Sequence, residues 1–363
     1  MKNTQKYRKL YLEQSQESFE KWGYYHPPRN WEEFEEKNIK VFGKYLTTER
    51  FKEEQTTPEI QVKLYLNLLG DNLKHFGFFT VFDKNHFEEI NDVIFQTSRN
   101  KLLLRATTAS GTDHTISLMD ALSAFSCNDF EIIDSFFPKN LFSENVYFPS
   151  ICVNLLNVIY HKQTNSAQEA LQRADKFLKK KNTTWDKNIV LYFLALYHRD
   201  VSEANEALQN LCTAYQKMEH SVMSIYNKME KCFATEIHGL YRLAKLIDEE
   251  FFENLTIPKH HCFFQEFELW HKENNYPKGK IFYAYPQEMD YLNRIYRAKI
   301  PKVTLKKHKS TPKLMKDVEL FAQELAESVA FVPPSENLKS IAKNTDATEK
   351  TSITQKLFKF FGK

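Results

Sequence analysis

Three groups of residues have types and spacings that chemistry can use. The first is "HHCFFQEFELWH", residues 260–271, which gathers His260, His261, Cys262, Glu266 and His271. Imidazole, thiolate and carboxylate are zinc ligands. On a helix, Cys262 and Glu266 stand four positions apart and share a face. No HExxH and no second Cys/His pair accompanies them. The competing reading, adopted here, is a helix start with polar histidines, followed by a core face of Phe263, Phe264, Phe267 and Trp270. No metal and no cofactor is assigned. The second group lies in "ATEIHGLYRLAKLIDEEFF", residues 234–252. Glu236 falls in the apolar arc near Leu243 and Ile247. A carboxylate buried there acts as a proton donor or acceptor, or pairs with an Arg or Tyr of a neighbouring helix. The structural pair is the reading adopted. His238 lies on the far side with Arg242 and Lys245, which points to a polar contact or surface position. The third group is "SGTDHT", Ser110 to Thr115. A catalytic triad is assembled in space across a fold, not from adjacent residues. Asp113 is therefore expected to cap a helix.

The sequence contains no GxxxxGK[ST], GxGxxG or GxSxG motif, which leaves the nucleotide-binding and nucleophile-elbow classes without their signatures. The chain is read as a binder rather than an enzyme.

The elements that must position these residues are helices. Of 363 residues, 42% are apolar, with 30 Phe and 18 Tyr, whereas Gly (8) and Pro (12) are scarce. That composition opposes a turn-rich β sandwich and favours an all-α fold. Net charge is +3, from 50 basic and 47 acidic side chains. It carries neither the basic excess of a nucleic-acid binder nor an acidic one that would mimic nucleic acid. The five cysteines form no CxxC and lie among apolar residues, as reduced thiols do. The beginning of the sequence shows no apolar leader, and no uncharged run approaches the ~20 residues of a membrane span. A cytoplasmic protein without membrane or nucleic-acid partners is expected.

Along the chain, helices are predicted over 3–22, from Asn30 as an N-cap, and from Pro58. "FGFFTVF", 76–82, is the most strand-like run and is read as a buried aromatic link. Asp83 or Asn85 is expected to cap the helix after it. The tetrapeptide EALQ occurs at 169–172 and again at 206–209, either side of a partner helix. That pattern suggests antiparallel helical hairpins in a bundle or short repeat-like array, since helical repeats have periods near ~34 residues. Apolar residues from Val222 to Phe251 step by three and four, predicting one long helix near 220–252. Gly239 interrupts it at a cost of about 1 kcal/mol against alanine, which a close approach of another helix would offset. The lysine-rich segment 299–316 reads as a solvated linker. Three regions follow: an N-terminal helical region, 1–105, packed on a helical core, 106–332, and a flexible polar tail, 333–363.

"MDALSAFSCND" (119–129), "IVLYFLALYHRDVSEANEALQNL" (189–211) and "HGLYRLAKL" (238–246) together resemble the immunity protein 49 family of bacterial polymorphic toxin systems. The similarity spans roughly residues 100–298. It implies a mostly helical protein that neutralises a cognate toxin by stoichiometric binding, with no catalytic residue to carry over. The structural or partner-contact candidates in these stretches are Asp120, Asp129, Glu236, His238, Gly239 and Tyr241. A helical-repeat scaffold or adaptor for another protein partner is the alternative. The sequence leaves the oligomeric state open.

Overall fold

The computed structural model describes residues 2–48, 57–83 and 86–334. Among them the chain is all-α apart from one small pair of strands. The N-terminal helices are α1 (Lys2–Trp22), α2 (Trp31–Leu46), α3 (Pro58–Leu68) and α4 (Leu73–Val81). Helix α2 starts where expected, because Asn30 Oδ1 accepts the Glu33 N–H at 2.9 Å. Pro58 begins α3.

The aromatic run 76–82 is largely helix α4 and not a link. Its rings find partners all round the axis. Phe76 stacks on Phe34 at 4.6 Å, Phe79 on Tyr11 at 4.2 Å, and Phe78 meets Phe233 edge-on at 5.8 Å. A helix buried on every side reads as a continuous apolar run, like a core strand.

Helix α5 (Phe87–Thr108) runs through the middle of the molecule, and position 105, the expected region boundary, lies inside it. It starts after His86 with no side-chain cap. Asp83 is used elsewhere, in an ion pair with Arg8, and Asn85 lies outside the described residues. Then come α6 (Leu118–Phe125), preceded by a 3-10 turn that Asp113 caps through the Thr115 N–H at 3.0 Å, and α7 (Ile132–Phe136).

A run of hairpins follows: α8 (Phe148–Tyr160), α9 (Ala167–Leu178), α10 (Thr184–His198) and α11 (Val201–Tyr215). Thr183 and Asp200 cap α10 and α11 through the N–H groups of Asp186 and Glu203. Only Arg199 and Asp200 join these two helices. Arg199 takes a left-handed backbone, φ +58°, which closes α10 and reverses the chain.

The predicted long helix is three: α12 (Ser224–Glu230), α13 (Thr235–Ile247) and α14 (Glu249–Glu253). At the first break the Ala234 N–H leaves the helical ladder and donates to the Cys262 carbonyl at 2.9 Å. At the second, Asp248 is extended (φ −158°, ψ 108°) and caps α14 through the Phe251 N–H. The apolar spacing survives because Met229, Phe233, Ile237, Leu240, Ala244 and Phe251 are each buried. Val222, at the start of the stripe, is fully exposed.

Helix α15 begins at Gln265 and ends at Glu273 (Gln265–Glu273), so the histidines at 260 and 261 precede it. After α16 (Asp290–Arg297), the lysine-rich segment forms an antiparallel hairpin, β1 (Leu305–Lys307) and β2 (Leu314–Lys316), with Leu305 opposite Lys316. It is pinned to the core rather than free: Val303 N–H donates to Ser135 O at 2.7 Å, and Lys316 is buried. Helix α17 (Val318–Ala330) completes the described chain. The expected tail falls almost wholly outside the described residues.

One apolar cluster runs from Tyr7 to Val329. Within it, Ala170 in α9 and Ala207 in α11 are both buried, at matching places in the two EALQ turns. Leucine at either should overpack its helix contact, lowering stability by about 1–3 kcal/mol. Chemical denaturation measures it, and neutral behaviour at both would mean that neither alanine abuts a neighbouring helix.

Candidate functional site: a sealed polar network beside Gly239

Helix α13 carries four of the six candidate residues, and its place is set by contact with α6. An added Cβ at Gly239 would lie 1.7 Å from the Leu122 carbonyl oxygen and 2.6 Å from its carbon. No side chain fits between these two backbones. The glycine therefore meets the expectation that another helix approaches closely there. Ser123 Oγ and Thr235 Oγ1, 3.1 Å apart, join the same two helices one turn away. On another side the Tyr192 hydroxyl of α10 donates to the Leu240 carbonyl at 2.8 Å.

His238 is not at the surface. It is fully buried, its ring stacked on Phe263 with centroids 3.8 Å apart. Nδ1 lies 2.5 Å from Glu268 Oε1 of α15, and Nε2 accepts the Phe264 N–H at 3.1 Å. With Nε2 an acceptor, the proton sits on Nδ1 and points at the carboxylate. Burial lowers the His238 pKa, and outweighs the pull of Glu268. The ring is a neutral donor held between a backbone amide and a carboxylate.

Arg242, one turn along α13, places Nη2 2.6 Å from Glu268 Oε2, without the alignment of a hydrogen bond. Its guanidinium lies 4.7 Å from the centre of the Tyr276 ring, a cation–π arrangement. Arg242 and Glu268 are both buried, at 0% and 3% exposure. His271 joins them from α15, with Nδ1 3.2 Å from Asn128 Nδ2. Burial, with Arg242 second, pushes its pKa far down.

A histidine backed by a carboxylate is the arrangement of a general base. Here the nitrogen that would act, Nε2, is taken by Phe264 inside the core. The dyad consequently orders α13 against α15, and has no open face for a substrate in this conformation.

The other candidates separate. Glu236 is half-buried, receives a hydrogen bond from Thr235 Oγ1 at 3.3 Å, and faces the Tyr215 hydroxyl of α11. Tyr241 is buried, edge-on to Phe252 and Phe263, and burial raises its pKa. Asp120 pairs with Arg105 Nε at 2.6 Å. The Arg105 backbone carbonyl accepts from the buried Lys316 at 2.9 Å. Burial pushes that lysine's pKa down to about 8. Asp129, fully buried, takes Arg99 through both oxygens, at 2.7 and 2.9 Å. Lys278 approaches Asp129 at 3.3 Å, and Glu131 completes this second charged cluster.

Sequence reasoning missed Arg242, Glu268 and Arg99 as core residues. It also missed the polar face of α5. There Gln96 Oε1 accepts the Phe282 and Tyr283 N–H groups at 3.0 and 2.8 Å, and Asp92 accepts the Lys280 N–H at 2.9 Å. These bonds hold the extended segment 277–285 on α5, and burial pushes the Asp92 pKa up to about 6. Of the residues that the rejected zinc reading of 260–271 would have used, Glu266 is exposed and His271 is committed to the network above.

No protein-family model matches the chain, and no match was found among curated proteins or solved structures. No helix among the described residues is long and apolar enough to cross a membrane.

Gly239→Ala sets two effects against each other. Helix propensity favours alanine by about 1 kcal/mol. A methyl 1.7 Å from a backbone carbonyl must move one of two packed helices, which costs about 1–3 kcal/mol or more. The packing effect is expected to win, so that Gly239→Ala lowers the denaturation midpoint and Gly239→Leu lowers it further. A clear gain from alanine, with leucine tolerated, would show that α6 and α13 do not meet at this glycine.

Proposed function

We propose that this chain is an immunity protein, which neutralises a cognate bacterial toxin in the cytoplasm by binding it one to one. The resemblance of residues 119–129, 189–211 and 238–246 to immunity protein 49 supplies the class. Support for binding as the mode of action comes from where the polar and aromatic groups lie. The ion pairs Arg242–Glu268 and Arg99–Asp129 are turned inward and neutralised within the core. Aromatic side chains face outward at the end of α1.

That outward group is the observation that carries the reading. Phe19, Trp22 and Tyr24 are 40%, 62% and 60% exposed. Phe19 stacks on Tyr25 at 4.4 Å, and the Arg29 guanidinium lies 3.1 Å over the Tyr25 ring. Trp, Tyr and Arg are the residues that dominate binding energy at protein interfaces. Stacking here holds two of the rings in place before a partner arrives, which reduces the ordering cost of association. The adaptor reading, in which the partner is not a toxin, draws on the matched helices α9 and α11.

Purified chain titrated against the toxin encoded beside it should abolish toxicity at a fixed molar ratio. Trp22→Ala with Tyr24→Ala should weaken binding at least about tenfold, with the melting temperature unchanged. Protection at well below one equivalent would mean turnover and contradict the binder. Protection without any complex would contradict it equally.

A further inference from the structure

The connection from α14 to α15 lies along a single row of α11. Asn205 Oδ1 accepts the Thr256 N–H at 2.8 Å, and Gln209 Oε1 accepts the Lys259 N–H at 3.2 Å. Gln216 Oε1 lies 3.0 Å from His261 Nε2. Positions 205, 209, 212 and 216 share one helix face. Cys212 is the sulfur-bearing member of this row: its carbonyl oxygen accepts the Cys262 thiol at 3.9 Å, and its own sulfur is turned to the same place.

One ligand atom from each of Cys212, His260 and Cys262 lies within 4.8 Å of the others. His260 Nδ1 is 3.1 Å from Cys262 Sγ. The Cys262 N–H donates to the same nitrogen at 3.3 Å, so Nδ1 is the unprotonated nitrogen of the ring, and a small turn of the imidazole exchanges that amide for a metal. Both cysteines are fully buried, and His260 is half-buried.

We propose that Cys212, Cys262 and His260 form a zinc site, with its fourth position open to water on the half-exposed side at His260. Two thiolates and an imidazole are a soft donor set of the kind that takes zinc. Bond lengths of about 2.3 Å to sulfur and 2.0–2.1 Å to nitrogen give tetrahedral edges of about 3.5–3.8 Å. The longest separation present, at most 4.8 Å, closes by about 1 Å, within the reach of side-chain rotation. As the two Zn–S bonds form, the two thiol protons pass to solvent. The ion would fasten the connection 254–264 to α11. Through it the ion would fix the Cys262 carbonyl that ends the first break in 220–252, and the Phe264 N–H that holds His238.

The test uses the full chain, reduced and stripped with a chelator, then titrated with zinc against a chromophoric zinc indicator. One equivalent should be withheld from the indicator. Cys212→Ser and Cys262→Ser should lose it, His260→Ala should bind at least about tenfold more weakly, and Cys152→Ser, elsewhere in the core, should bind as the parent does. Cobalt in place of zinc should give sulfur-to-metal charge-transfer absorption that Cys212→Ser lacks. At equal zinc concentration the melting temperature should rise less in His260→Ala than in the parent, which makes it the variant to rely on if a cysteine variant does not fold. No equivalent bound, or an equivalent retained when Cys212 and His260 are replaced, overturns the site.

Discussion

The carboxylate of Glu268 is the group on which the interior depends. It is the negative partner of the buried Arg242 and the acceptor for the buried His238. An arginine cannot shed its charge, and an uncompensated charge in an apolar core costs several kcal/mol. Both partners sit on α13, one turn apart, whereas Glu268 comes from α15. One side chain thus fixes the rotation and height of one helix against the other. It also sets the imidazole tautomer, because the second ring nitrogen is filled by the Phe264 amide.

Everything packed on α13 inherits that placement. Gly239 follows His238 directly, so the face that meets Leu122 of α6 is turned by the same network. Helix α6 leads into Asp129, whose double contact with Arg99 ties it to α5. Helix α5 in turn carries segment 277–285 on Gln96 and Asp92. Buried ion pairs seldom add stability over a well-packed apolar core, but they penalise alternative packings that leave a charge alone. In a chain with so many interchangeable aromatic contacts, that penalty selects one arrangement of helices. A protein that works by presenting a fixed surface to a partner needs such an arrangement, because a rigid surface binds at a lower ordering cost.

The fold class was legible because composition and the three-four spacing of apolar residues report helices directly. So were Asn30 and Asp113, whose caps are local. Gly239 was legible as a close contact because its propensity cost needed an offset. What the sequence hid were relations between distant residues. Glu268 sits between the apolar residues Phe267 and Leu269, and nothing local tells that it meets Arg242 across the core. The breaks at Ala234 and Asp248 were hidden because each fragment keeps the apolar phase of the next. The helix at 73–81 was hidden because burial on all sides erases periodicity. His238 was misplaced because an amphipathic wheel assumes one buried face, and α13 is covered on several. Cys212 and Cys262 come together only once the connection lies along α11, so spacing gave no signal.

Replacing Glu268 by Gln keeps the size of the side chain and an acceptor for His238, removes the charge, and sets an amide NH2 in place of the oxygen that faces Arg242. Urea denaturation of Glu268→Gln beside the parent measures what that charge holds. The loss expected is about 3–5 kcal/mol, with part of it recovered when Arg242→Met is added, since no charge is then left unpaired. A loss below about 1 kcal/mol, or no recovery in the double variant, would contradict the account that the Glu268 carboxylate sets the packing of this protein.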